Sequence, residues 1–136
     1  MKAFELDHKL QMDCFILDKS GDCEILLMNN SLVPWFILVP HTGETELCNL
    51  PEVQKIRLYK NIDLLSKFIL NQFKVSKINI AAIGNSVKQL HIHVIGRSPT
   101  DYCWPNVVWG RQEREDYPEK EVKNIRAALK LAIGSV

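Results

Sequence analysis

The sequence predicts an α+β fold: a five-stranded, mostly antiparallel sheet with one long helix on a face and an extra C-terminal helix. Three observations support this prediction. Short apolar or alternating stretches, each bounded by turn residues, are typical of strands. The stretch 52–73 repeats its apolar residues at steps of three and four, which is the period of a helix. A second helical pattern covers 116–133, after a segment without periodicity.

The chain has 136 residues, a length that suits one domain. We expect a single domain over 1–136, with a core at about 13–110 and a C-terminal helical extension at about 116–133. Hydrophobic residues make up 46% and charged residues 24%, an ordinary balance for a globular protein. Because the net charge is only +1, no global electrostatic field attracts nucleic acid or a membrane surface, and we expect neither partner.

The cysteines show neither a C-x-x-C pair nor zinc spacing, which favours reduced thiols and a cytoplasmic location. They are Cys14, Cys23, Cys48 and Cys103. The first seven residues carry charges where a signal peptide would be apolar. The longest apolar run, 32–40, is interrupted by Pro34 and is far shorter than the ~20 residues of a membrane helix. We expect neither a cofactor nor a resident metal.

The first third of the chain predicts a short helix and three strands. The predicted ranges are 5–12 for the helix and 14–17, 24–28 and 35–39 for the strands. The helix would bury Leu6, Leu10 and Met12 on one side. The turn at 19–22 joins the first two strands into a hairpin. The third strand is apolar on both faces, which is typical of a central strand.

The remainder predicts the long helix, two more strands and the C-terminal helix. Asn49 is the N-cap candidate of the long helix, with Pro51 near its first turn. The helix should bury one apolar stripe, made of Val53, Ile56, Tyr59, Ile62, Leu65, Ile69 and Phe73. The remaining strands are predicted at 77–83 and 89–96. The C-terminal helix should bury Val122, Ile125, Leu129 and Ile133.

The stretch 89–95 has the clearest chemical character, because polar and apolar residues alternate strictly along it. One face carries Gln89, His91 and His93, and the other carries Leu90, Ile92 and Val94. Imidazole is a nucleophile, an acid or base, or a metal ligand near neutral pH, and a buried structural histidine is the plain alternative. The loop 84–88 contains glycine, asparagine and serine, and its backbone N–H groups suit a phosphate.

This stretch and its flanks resemble the signature of the histidine triad (HIT) superfamily, in which three histidines alternate with apolar residues. Six of the seven core positions match, and Gln89 stands where the first histidine belongs. The lead-in at 84–87 and the pair Trp104-Pro105 fit as well. The resemblance covers about residues 13–110 and implies a HIT-like fold. It also implies a homodimer, for which the two tryptophans of the segment 98–110 offer a local reason.

The resemblance implies a nucleotide hydrolase or transferase that attacks an α-phosphate and forms a nucleotidyl-histidine intermediate. The implied substrates are dinucleoside polyphosphates of the diadenosine type or nucleoside phosphoramidates. By position, His91 is the nucleophile and His93 contacts the phosphate oxygens. Gln89 completes the catalytic set, but it can only donate and accept hydrogen bonds and cannot titrate.

The resemblance also implies residues that bind the nucleotide and its phosphates. Asn30 stands where the family commonly has an aspartate that binds the ribose hydroxyls, although an ordinary turn residue is an equal alternative. Met28 lies two residues before it, in the same part of the implied nucleotide site. Asn85 and Ser86 would hydrogen-bond the leaving group or a phosphate. His41, just after the third strand, is interpreted as a surface residue.

Two other functions stay open. The chain is alternatively a nucleotide-binding protein with little or no turnover, because Gln89 and Asn30 both depart from the family pattern. Less favoured is a metal-binding protein, in which His91 and His93 supply two ligands as a His-x-His pair on a strand. No spacing rule places a third ligand.

Overall fold

The protein is built on one antiparallel sheet of five strands. The structure is a computed structural model that describes residues 3–134. Its strands are β1 (Cys14–Ser20), β2 (Cys23–Met28), β3 (Trp35–Pro40), β4 (Lys77–Ala81) and β5 (Ile92–Arg97), and they lie in the sheet in the order β1-β2-β3-β5-β4. Its helices are α1 (His8–Asp13), α2 (Glu52–Gln72) and α3 (Glu119–Gly134). The predicted α+β class, the five strands and both long helices are confirmed. The predicted domain 1–136 also includes residues 1, 2, 135 and 136, which lie outside the described residues.

The strand β3 is the centre of the sheet, as its apolar pattern predicted. All of its side chains are buried, and β2 and β5 flank it. One face of the sheet packs against α2 and α3 and includes Leu90, Ile92 and Val94. The other face carries the histidines and has its own apolar cluster beneath the N-terminal residues and the segment after β5. Among residues 3–134, no helix combines the length and the apolar character that crossing a membrane requires.

The helix α2 approaches the sheet closely at Gly96. A Cβ atom at this position would lie 2.7 Å from Cγ2 of Ile69 and 2.9 Å from Cγ of Pro34. Such contacts are too short for any side chain, so glycine is required for the helix to pack here. The glycine that precedes Arg97 therefore has a packing role.

The buried side of α2 differs from the prediction in the first half of the helix. Val53, Ile56 and Tyr59 are 63%, 51% and 72% exposed. The buried residues are Gln54, Leu58, Leu65, Phe68 and Ile69. The amide of Gln54 donates to the carbonyl oxygen of His41 and to the carboxylate of Asp22, and these bonds fix the rotation of the first turns. The predicted stripe is wrong there because a polar residue occupies the buried position.

The N-terminal ends of the helices also differ from the prediction, and α3 begins at Glu119 and not at about residue 116. Residues 3–7 are not helical, and α1 begins at His8 because Asp7 caps it, with Oδ1 accepting from the N–H groups of Lys9 and Leu10. Leu10 is buried as predicted, whereas Met12 is 72% exposed. At α2 the N-cap position is Pro51, while the predicted cap, Asn49, ends the 3₁₀ turn Leu47–Asn49.

Candidate active site

His91 lies immediately before β5 and is 5% exposed. Its Nδ1 atom lies 2.7 Å from the backbone carbonyl oxygen of Gln89. A carbonyl oxygen only accepts hydrogen bonds, so Nδ1 carries the proton and Nε2 presents a lone pair. The neutral ring is thereby held in the tautomer that a nucleophile attacking through Nε2 requires.

His93 has the opposite tautomer. The indole Nε1–H of Trp35 donates to Nδ1 of His93 over 2.9 Å, so the neutral ring carries its own proton on Nε2. Burial, and secondly the charge that His91 can carry, lower the pKa of His93 from 6.5 to about 4. His93 is therefore a neutral hydrogen-bond donor at physiological pH and suits a phosphate oxygen.

The two imidazoles contact each other edge-on, and an aromatic cover, made of Trp35 and Trp109, packs on His93. The ring centroids of the two histidines are 5.0 Å apart, and the ring of Trp109 lies 5.3 Å from that of His93. Trp109 also contacts Trp35 edge-on at 6.0 Å. Of the two tryptophans in the segment 98–110, Trp109 therefore packs over His93.

The side chain of Gln89 is hydrogen-bonded to the N-terminal residues and not to the imidazoles. The predicted strand 89–96 begins only at Ile92, so Gln89 precedes it. Its Oε1 accepts from the N–H of Asp7 and its Nε2 donates to the carbonyl oxygen of Glu5, both over 2.8 Å. What Gln89 offers His91 directly is its backbone carbonyl.

Met28 and Asn30 line a cavity of about 190 Å³ next to the tryptophans that contact His93. Trp35, Trp109 and the segment 110–114 form the other walls. Asn30 is 7% exposed, and its Oδ1 accepts from the backbone N–H groups of residues 32 and 115. This oxygen is therefore engaged in holding the chain, and its binding of ribose stays a prediction.

A second cavity, of about 260 Å³, reaches His91 itself. It lies between the segments 45–48, 82–84 and 88–91. Asn85 and Ser86 are exposed in the loop between β4 and β5, and they lie in the chain between Gly84 and Lys88, which line this cavity. Their binding of a phosphate or leaving group also stays a prediction.

His41 is less exposed than a simple surface residue. Its Nε2 lies 2.6 Å from a carboxylate oxygen of Glu24, and its side chain is 26% exposed. The ring of Phe4 stacks on it with a centroid distance of 4.2 Å. His41 therefore anchors the N-terminal residues on the face of the sheet that carries the imidazoles.

Arg97 is a residue whose role the sequence did not reveal. It is 1% exposed, and its guanidinium donates to both carboxylate oxygens of Asp101. It also donates to the side chain of Asn79 and to the backbone carbonyl of Asn106. Burial would raise the pKa of Asp101, but hydrogen bonds from Arg97 and two backbone N–H groups hold it below its usual value. Arg97 thus fixes the loop that carries Trp109.

Neither a metal site nor a histidine or cysteine in the larger groove is found among the described residues. Within residues 3–134, no group of three His, Cys, Asp or Glu side chains is arranged to hold a metal ion. A larger groove, of about 760 Å³, lies between α2 and α3, on the face of the sheet opposite the imidazoles. Its described lining contains neither histidine nor cysteine.

Acid should destabilise the protein through His93. The folded state keeps this ring neutral down to about pH 4, whereas an unfolded histidine takes up a proton near pH 6.5. The unfolded chain therefore binds more protons in this window, and the free energy of unfolding falls as the pH drops, by roughly 3 kcal/mol near pH 4. Denaturant unfolding between pH 4 and 7 measures this loss.

The matched variant is His93→Gln, which cannot titrate. Its pH dependence should be flatter than that of the wild type by the same amount, because all other groups titrate in both proteins. Parallel curves for the two proteins would contradict the low pKa of His93.

Comparison with known proteins identifies the family to which this chain belongs. The model of the HIT domain matches residues 9–100. No curated protein sequence matches the chain. A histidine triad protein from Marinobacter aquaeolei is 38% identical, with a TM-score of 0.91 and 97% of each chain covered. One from Bradyrhizobium japonicum is 34% identical, with a TM-score of 0.92, covering 97% of this chain and 99% of that one.

A more distant structure shares the fold. It is the diadenosine triphosphate hydrolase of Plasmodium falciparum, which is 17% identical with a TM-score of 0.56. The match covers 97% of this chain and 79% of that one.

Proposed function

The chain belongs to the HIT domain family, and from this premise we propose that it is a nucleotide hydrolase or transferase that attacks an α-phosphate through His91. The observation that carries the proposal is the tautomer of His91, with Nδ1–H on the carbonyl of Gln89 and Nε2 left as a lone pair. Proteins of this family generally bind or hydrolyse nucleotides. The substrates that we propose are dinucleoside polyphosphates of the diadenosine type and nucleoside phosphoramidates.

The proposed reaction has two steps. The lone pair of His91 Nε2 forms a bond to the α-phosphorus while the bond from phosphorus to the bridging oxygen or nitrogen breaks. The leaving group departs with that electron pair and takes a proton from water. Water then attacks the same phosphorus and gives a proton to the hydroxide left by the first step. The P–N bond breaks, its electron pair returns to His91 Nε2, and a nucleoside monophosphate leaves. A neutral nucleophile suits this chemistry because the phosphates repel anions.

His93 stabilises the charge that builds up during the reaction. Its Nε2–H donates to a non-bridging phosphate oxygen, since Trp35 occupies Nδ1. Because the pKa of His93 is low, the ring does not exist as imidazolium near neutral pH and does not serve as a general acid. We propose that Asn85 and Ser86 hold the leaving side and that the cavity of Met28 and Asn30 holds the nucleoside.

Mass spectrometry tests the proposal directly. The protein is quenched after brief incubation with diadenosine tetraphosphate or adenosine phosphoramidate, and we expect an added adenylyl group on the peptide that contains His91. If calorimetry detects AMP binding while no adduct forms and no substrate is hydrolysed, the result would instead favour a nucleotide-binding protein. That alternative gains support from Gln89, which cannot titrate and whose amide is engaged elsewhere.

We also propose a cytoplasmic homodimer. The surface that a second copy would bury is the exposed apolar side of α2, made of Val53, Ile56 and Tyr59. Contiguous exposed apolar residues of this kind often mark protein contacts. Sedimentation equilibrium distinguishes the dimer from a monomer, and a mass of one chain at micromolar concentration would exclude the dimer.

A further inference from the structure

The sheet does not hold the carbonyl group that orients the nucleophile. The carbonyl of Gln89 accepts the hydrogen bond from His91 Nδ1 and so sets the tautomer of that ring. The pairing of β5 with β3, however, begins at Ile92. Residue 89 therefore lies outside the strand ladder, and another contact must keep its carbonyl in place.

The side chain of Gln89 makes that contact. Its two hydrogen bonds go to the carbonyl of Glu5 and to the N–H of Asp7, on either side of residue 6. In a parallel sheet, a residue likewise donates to the carbonyl before its neighbour and accepts from the N–H after it. A carboxamide can make the same two bonds, because its donor and its acceptor sit on one trigonal carbon. The two nitrogens of an imidazole point away from each other, so a histidine here could not make this pair of bonds.

The N-terminal segment, residues 4–7, is in turn anchored at both of its ends. At one end, Phe4 stacks on His41, which is bonded to Glu24. At the other end, Asp7 caps α1, and the helix buries Leu10. The segment is thus a firm support against which Gln89 can be held.

We propose that Gln89 is a positioning residue for His91 and that the backbone of the N-terminal segment is the support to which Gln89 is bonded. The carboxamide joins residue 89 to the segment, and the segment holds the carbonyl that orients the nucleophile. Where the family has a histidine that can carry a proton, Gln89 instead holds residue 89 and its carbonyl in place. The effect on rate rests on the proposed function, whereas the effect on the tautomer of His91 does not.

Substitutions at Asp7 and Gln89 test the proposal. Asp7→Pro removes the backbone N–H that Gln89 binds, and the φ of −51° at this residue suits proline. Asp7→Ala is the matched control, since both changes remove the capping carboxylate and only proline removes the N–H. Asp7→Pro and Gln89→Ala should lower kcat about 10- to 100-fold with little change in KM. Asp7→Ala keeps the N–H that Gln89 binds, so it should lower kcat clearly less than Asp7→Pro does.

Nitrogen-15 NMR of the imidazoles gives a readout that needs no substrate. We expect a single Nδ1–H tautomer of His91 in the wild type and in Asp7→Ala, and a mixture in Gln89→Ala and Asp7→Pro. Amide hydrogen exchange in residues 5–10 should become about tenfold faster in Gln89→Ala. A purely structural role would speed exchange and leave the tautomer unchanged.

The outcomes separate this proposal from the proposed function. If the wild type hydrolyses no nucleotide, the proposed function fails while NMR still decides the role of Gln89. If His91 keeps one tautomer in both variants, the positioning role is overturned. Circular dichroism checks folding, and Gln89→Glu replaces a variant that unfolds. The ionised Glu keeps the size and the acceptor of Gln89 but loses the donor to Glu5, so it should also yield the tautomer mixture.

Discussion

Replacement of His91 by alanine is expected to abolish hydrolysis of the nucleotide substrates, with kcat falling by roughly 10⁴-fold or more. The reason is that His91 Nε2 is the atom that bonds to phosphorus, and the neighbouring His93 cannot replace it. Trp35 occupies Nδ1 of His93, and Nε2 of that ring carries the proton. Release of AMP from diadenosine tetraphosphate, followed by chromatography, measures the effect.

The control is His8→Ala, because His8 is an exposed histidine on α1. It should leave kcat unchanged. Circular dichroism should show that the His91 variant keeps its fold, since the change removes one hydrogen bond, worth about 1 kcal/mol. Turnover at the wild-type rate in a folded His91→Ala protein would remove His91 from its proposed role.

Replacement of Arg97 by alanine is expected to cause the largest loss of stability. The guanidinium and the carboxylate of Asp101 are 2% and 7% exposed, so the change leaves a buried carboxylate without its partner. Breaking a buried pair in this way costs about 3–5 kcal/mol. The loop that Arg97 fixes carries Trp109, so the cover over His93 should loosen as well. Urea unfolding followed by circular dichroism measures the loss.

An exposed ion pair in the same protein provides the comparison. Arg57 binds Asp22 over 2.9 Å, but their side chains are 50% and 26% exposed. Arg57→Ala should therefore cost less than about 1 kcal/mol. Equal losses for the two arginine variants would show that burial does not set the strength of the pair at Arg97.

The sequence predicted the sheet and helices well because their signals are local. Strict alternation placed Leu90, Ile92 and Val94 on the core face, and a double-sided apolar run identified the central strand. The prediction was wrong in the first half of α2, where it placed the apolar residues that recur at three- and four-residue steps on the buried side. Gln54 is buried there because of partners on distant loops, which periodicity does not reveal.

The candidate site shows the same division. The histidine pair could be predicted, because residues two apart on an extended segment share a face. The contacts that set their tautomers could not, since Trp35 and His93 are 58 residues apart in the chain. Likewise, Gln89 and Asp7 are separated by 82 residues. The sequence identifies the reactive groups, and the tertiary structure determines which nitrogen of each carries the proton.

The tryptophans that cover His93 should make the intrinsic fluorescence of the protein sensitive to ligand binding. Two of its three tryptophans, Trp35 and Trp109, lie within 6 Å of the His93 ring by centroid distance. Indole emission depends on the polarity and the quenching groups around the ring. A nucleobase that enters the cavity lined by both rings would therefore change the intrinsic fluorescence, and binding could be titrated without any label.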